Sequence, residues 1–96
     1  MLVLVTYDVA TGDSKGAARL RKVAKICQSY GQRVQYSVFE CLVDSGTWVT
    51  IQAKLLRSID DEQDSLRVYY LGNNWERRVE HFGVRPAYEQ GGTLIL

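Results

Sequence analysis

The strongest constraint on the fold lies in the first segment. Residues 2–9, LVLVTYDV, are β-branched and nearly continuously apolar, and the turn-rich TGDSKG closes the run. That pattern predicts a central strand buried on both faces. Asp8, the one carboxylate inside the run, falls at the strand's C-terminal end.

Helical spacing follows. Ala17, Leu20, Val23, Ala24, Cys27 and Tyr30 recur at three and four, with Asp13 or Ser14 as N-cap and Gly31 as the stop. The segment RVQYSVFECLV, 33–43, reads as strand, bent or folded into a tight hairpin near Gln35 and Tyr36. In 45–59, TWVTI favours β by propensity, yet Trp48, Ile51, Leu55 and Ile59 step helically and Asp44 or Ser45 can cap. Periodicity outweighs propensity here, so a second helix is expected. After the acidic DDEQD comes a strand, SLRVYYL at 65–71, then the punctuation GNN. The order is βαββαβ, that of a ferredoxin-like α+β sandwich. Residues 73–96 form a C-terminal appendage ending in a short apolar strand, TLIL, which needs a sheet edge on a partner protomer or another protein.

At 96 residues the chain is one domain, and 46% hydrophobic with 24% charged residues excludes a disordered or fibrous protein. No apolar run approaches the ~20 residues that cross a bilayer, and the N-terminus lacks a basic leader, so a cytoplasmic protein without membrane contact is expected. Cys27 and Cys41 have neither CxxC spacing nor a histidine cluster and read as reduced core residues.

The net charge of +1 hides a dipole. Residues 1–43 carry Lys15, Arg19, Arg21, Lys22, Lys25 and Arg33 against Asp8, Asp13 and Glu40, while 44–64 carry five acidic residues against two basic ones. Lys15, Arg19 and Lys22 form a basic stripe on the first helix, flanked by Arg21 and Lys25. Arg19, Arg21 and Arg33 suit phosphate as bidentate forks, or simply make a solvated helix face. Asp8 either caps the helix or pairs with a lysine, or it ligates Mg²⁺, which takes one or two carboxylates and keeps its waters. A two-fold dimer axis near Asp8 would supply the second carboxylate. Tyr7, Tyr36 and Phe39 read as core or interface aromatics before stacking platforms, Trp48 and Trp75 as anchors, and His81 as a surface or interface residue. On residues alone, a dimeric ferredoxin-like ligand-binding regulatory module stays open.

Four segments in order resemble one family: VTYDV at 5–9, ARLRKVAKICQSYG at 18–31, RVQYSVFE at 33–40 and DSLRVYYLG at 64–72. Together they are similar to Cas2, the small CRISPR-associated endoribonuclease or endonuclease and adaptation subunit. The resemblance implies a ferredoxin-like homodimer in antiviral defence, with Asp8 of each protomer reaching a shared Mg²⁺ at the interface. It implies nuclease roles for Tyr7, Asp8, Arg33 and Phe39, and phosphate contacts from Arg19 and Arg21 alongside Lys15 and Lys22. The implied partners are RNA or duplex DNA and the CRISPR adaptation integrase, which the dimer bridges during spacer acquisition.

Overall fold

The N-terminal run forms strand β1, Leu2–Asp8, in the computed structural model, which describes residues 1–84. The chain continues through α1 (Ser14–Tyr30), β2 (Gln32–Gln35), β3 (Val38–Leu42), α2 (Ser45–Ser58) and β4 (Ser65–Gly72) to a single 3-10 turn at Trp75–Arg77. The sheet order is β2-β3-β1-β4, and every neighbouring pair is antiparallel. Each helix therefore carries the chain past one strand position, which makes the ferredoxin-like arrangement expected from the element order. The TLIL segment lies outside the described residues.

Both helices pack on one face of the sheet. Val3, Val5 and Tyr7 of β1, Phe39 and Cys41 of β3, Val23 and Cys27 of α1, and Trp48, Ile51 and Leu55 of α2 form one buried cluster. On the other face Leu4 and Thr6 are only half-buried. β1 is thus central but not buried on both faces within the described residues, because the helices cover one side alone.

Local chemistry sets the helix ends. The Asp13 carboxylate accepts the Gly16 amide at 2.8 Å, and the Asp44 carboxylate accepts the Thr47 amide at 2.7 Å. Hydrogen bonding from Thr47 also holds the Asp44 carboxyl below its ordinary pKa. Gly31 ends α1 in extended backbone at φ −149°. A Cβ there would lie 2.6 Å from both the Cys41 sulfur and the Glu40 carbonyl oxygen, so close approach to β3 is what requires glycine.

The segment with conflicting signals is indeed helical. Trp48, Ile51 and Leu55 are buried, and the Trp48 indole donates to the Tyr70 hydroxyl at 3.1 Å, tying α2 to β4. The second strand segment is a hairpin whose two-residue turn is Tyr36–Ser37, with Tyr36 exposed at its tip. Cys27 and Cys41 are free and buried. Trp75 is half-buried, and His81 is exposed, with its Nε2 3.1 Å from the Val84 carbonyl oxygen.

Candidate active site and nucleic-acid interface

Strand alternation separates the two neighbours at the end of β1. Val5 lies opposite Phe39, and Tyr7 opposite Leu66, on the helix-covered face. Thr6 lies opposite Val38 and Arg67, and Asp8 opposite Ser65, on the open face.

Tyr7, Phe39 and Arg33 come together on the covered side. The Tyr7 and Phe39 rings are 6.1 Å apart, and the Arg33 guanidinium sits 5.0 Å from the Phe39 centroid. The Tyr7 hydroxyl donates a long bond, 3.5 Å, to the Tyr36 carbonyl. Burial, then the Cys27 thiol, push the Tyr7 hydroxyl above its usual pKa, while the nearby Arg33 opposes the rise. Tyr7 and Phe39 are buried and offer no surface to a substrate on Asp8's side of the sheet. The structure therefore divides the expected quartet into a trio that braces the hairpin and a separate carboxylate.

Asp8 is exposed, and its carboxylate has no hydrogen bond or ion pair among the described residues. Asp13 caps α1, so the two structural uses open to Asp8, capping and lysine pairing, are both unfilled. Among the described residues no group of three His, Cys, Asp or Glu side chains gathers as a metal site. One chain thus brings one hard, unengaged carboxylate, a donor set that fits a hydrated Mg²⁺ completed from elsewhere.

A residue not singled out in the sequence organises this strand end. Asp64 accepts Arg19 Nε at 2.8 Å and Nη2 at 3.3 Å, the Ala10 amide at 3.0 Å and the Asp60 amide at 2.8 Å. The Arg19 fork, then the bonds from Asp60 and Ala10, bring its pKa down to about 2. The sequence signals were its place as the last acid of DDEQD directly before a strand and as the first residue of the segment DSLRVYYLG. An acidic run ordinarily reads as a solvated loop.

The basic stripe is partly committed. Lys15, Arg21 and Lys22 are exposed on α1 and form no ion pair among the described residues, which both a phosphate-facing surface and a solvated helix face would show. Arg19 differs: its side chain is 19% exposed and its Nε and Nη2 are engaged by Asp64 and, at 3.5 Å, by the Ala10 carbonyl.

An antiparallel ferredoxin-like domain with an unengaged carboxylate at the end of its central strand and a cationic helix has the parts of a small nucleic-acid-processing protein. Residues 1–79 match the model of the family described as CRISPR associated protein Cas2. The chain is 57% identical over 96 residues to "CRISPR-associated endoribonuclease Cas2" of Nitratidesulfovibrio vulgaris, spanning all of this chain and 94% of that protein. It is 56% identical over 96 residues to "CRISPR-associated endonuclease Cas2" of Halalkalibacterium halodurans, covering 100% of both. The crystal structure of Streptococcus pyogenes Cas2 at pH 6.5 superposes with a TM-score of 0.74 at 57% identity, covering 86% of this chain and all of that one. The chain belongs to the CRISPR-associated Cas2 family.

Proposed function

We propose that this protein is a CRISPR adaptation subunit that works as a symmetric homodimer, binds nucleic acid along α1, bridges the adaptation integrase, and hydrolyses phosphodiester bonds of RNA or DNA in a Mg²⁺-dependent way. The observation that carries this reading is Asp8: an exposed, structurally unemployed carboxylate at the rim of an open sheet face. The nuclease names of close full-length relatives support the activity.

The open face supports the dimer. Leu42 and Tyr69 are 50% and 44% exposed there, beside half-buried Leu4 and Val38, a surface that a second copy would cover. A two-fold axis at the strand end would bring two Asp8 carboxylates together, and a shared cation would offset their repulsion. Mg²⁺, when bound, supplies water activation and charge neutralisation at the scissile phosphate. The protein's own part is to hold Asp8 at the rim and to present Lys15, Arg21 and Lys22 to the flanking phosphates. Residues 73–96 are the proposed region of dimer or integrase contact.

The test incubates labelled single-stranded RNA and duplex DNA with the protein, with and without Mg²⁺, beside Asp8→Ala. Cleavage that needs Mg²⁺ and disappears in Asp8→Ala is expected. Duplex binding without cleavage by either protein would reject the nuclease and leave the scaffold role.

A further inference from the structure

We propose that Asp64 is the positioning residue for Asp8, and that Arg19 serves the site through Asp64 rather than by binding phosphate; this rests on the Asp8 reading above and assigns its supporting residues. The Asp64 side chain is fully buried. Its Oδ1 accepts the Ala10 amide and Arg19 Nη2, and its Oδ2 accepts Arg19 Nε and the Asp60 amide. Each oxygen therefore takes two donors, which fills the carboxylate's accepting capacity.

Two of these links adjoin Asp8, one along the chain and one across the sheet. Ala10 follows it by two residues, and Ser65, the residue after Asp64, is its partner across β1 and β4. Asp64 thus binds the chain leaving Asp8 and stands at the start of the strand that Asp8 pairs with. Arg19 completes the clasp, since Asp64 takes the Ala10 N–H while Arg19 Nη2 donates to the Ala10 carbonyl. Gly16 seats the helix against the same carbonyl, where a Cβ would collide with the Ala10 oxygen.

The same geometry removes Arg19 from phosphate recognition. Each bidentate edge of a guanidinium pairs Nη2 with either Nε or Nη1. With Nε and Nη2 occupied, neither edge of Arg19 is open. Arg21, two residues on along α1 and exposed, makes no ion pair or hydrogen bond through its guanidinium among the described residues and keeps its whole fork.

The test compares wild type, Asp64→Asn, Arg19→Ala, the double variant, Arg19→Lys, Arg21→Ala and Asp8→Ala in three measurements. Amide exchange reads the Ala10 latch, the free-ion electron paramagnetic resonance signal reads Mn²⁺ binding, and RNA affinity against salt reads phosphate contacts. Asp64→Asn should speed Ala10 exchange and weaken Mn²⁺ binding on the order of tenfold, the loss usual for a supporting residue behind a ligand. The double variant should lose no more than the larger single loss, because the two side chains act as one unit. Arg19→Ala should leave the salt slope unchanged, while Arg21→Ala should reduce it by roughly 0.7. Arg19→Lys retains a charge for Asp64 and should fall between wild type and Arg19→Ala, which keeps the comparison readable if a harsher variant fails to fold. A folded Asp64→Asn with wild-type Ala10 exchange and Mn²⁺ affinity would overturn the proposal, as would a salt slope that falls in Arg19→Ala as it does in Arg21→Ala. If Asp8→Ala binds Mn²⁺ like wild type, the metal reading fails instead, and Ala10 exchange and the salt slopes alone decide for or against the clasp.

Discussion

Tyr7 and Asp8 are consecutive residues on opposite faces of β1: the ring is 6% exposed within the helix-covered core, and the carboxylate stands free on the open side. Their substitutions should therefore separate stability from activity. Tyr7→Ala should destabilise by roughly 3–5 kcal/mol through loss of a packed aromatic. Tyr7→Phe gives up only a long hydrogen bond, so about 1 kcal/mol or less is expected. Asp8→Ala should stay within about 0.5 kcal/mol of wild type. Urea denaturation of the three variants measures this ranking, and a strongly destabilised Asp8→Ala would contradict the placement of Asp8.

Acid should act through Asp64. Its carboxyl titrates at about 2 in the folded chain, below the ~3.9 of an unfolded aspartate. As pH falls the unfolded chain takes up the proton first, so the stabilisation is present above about pH 4 and is lost as pH drops through the folded value. Asp44, also lowered, works in the same direction. Melting temperatures between pH 6 and pH 2 should fall more steeply for wild type than for Asp64→Asn. Parallel curves would assign the acid limb to other groups.

Alkali should act through the core. Burial, the largest cause in each case, pushes Cys27 up to about 12 and Cys41 up to about 11, and raises Tyr7 as well. Unfolded thiols ionise near ~8.5. The stabilisation from these neutral buried groups is full below that pH and disappears as pH climbs through the folded values. Both thiols should resist a maleimide in the folded protein at pH 8 and react once urea unfolds it. Labelling without unfolding would show that the α1–β3 packing opens.

Two glycines near the same loop should respond differently to alanine. At Gly16 a Cβ would collide with the Ala10 carbonyl, whereas at Gly12 nothing lies within 4 Å. Gly16→Ala should cost about 1–3 kcal/mol as overpacking, and Gly12→Ala should change little. Thermal melts of the pair check this, and equal melting temperatures would mean that the first turn of α1 can retreat from Ala10.

Much of the fold was readable because local rules agreed with one another. The apolar run at 2–9, the capping aspartates Asp13 and Asp44, and the step from Trp48 to Ile51 to Leu55 are all short-range signals. Even the β-prone TWVTI yielded to periodicity, since a buried helical stripe outweighs intrinsic preference. The strand-end carboxylate was readable for a similar reason, because a charge inside an apolar run demands an explanation.

What could not be read depended on partners far apart in the chain. Arg19 and Asp64 are 45 residues apart, so the helix pattern that marked Arg19 as a solvent-facing cation carried no information about the acid that takes its fork. The one-sided burial of β1 is the same kind of fact. An apolar strand states that both its faces avoid water, but only the packing of the helices decides which face the chain covers for itself. Sequence alone thus determined the elements, their order and the place of Asp8 at the end of β1, through interactions within a few residues. The tertiary structure decided which cations remain free and which residues hold Asp8 in place, because hydrogen-bond partners and desolvation are set by the whole fold.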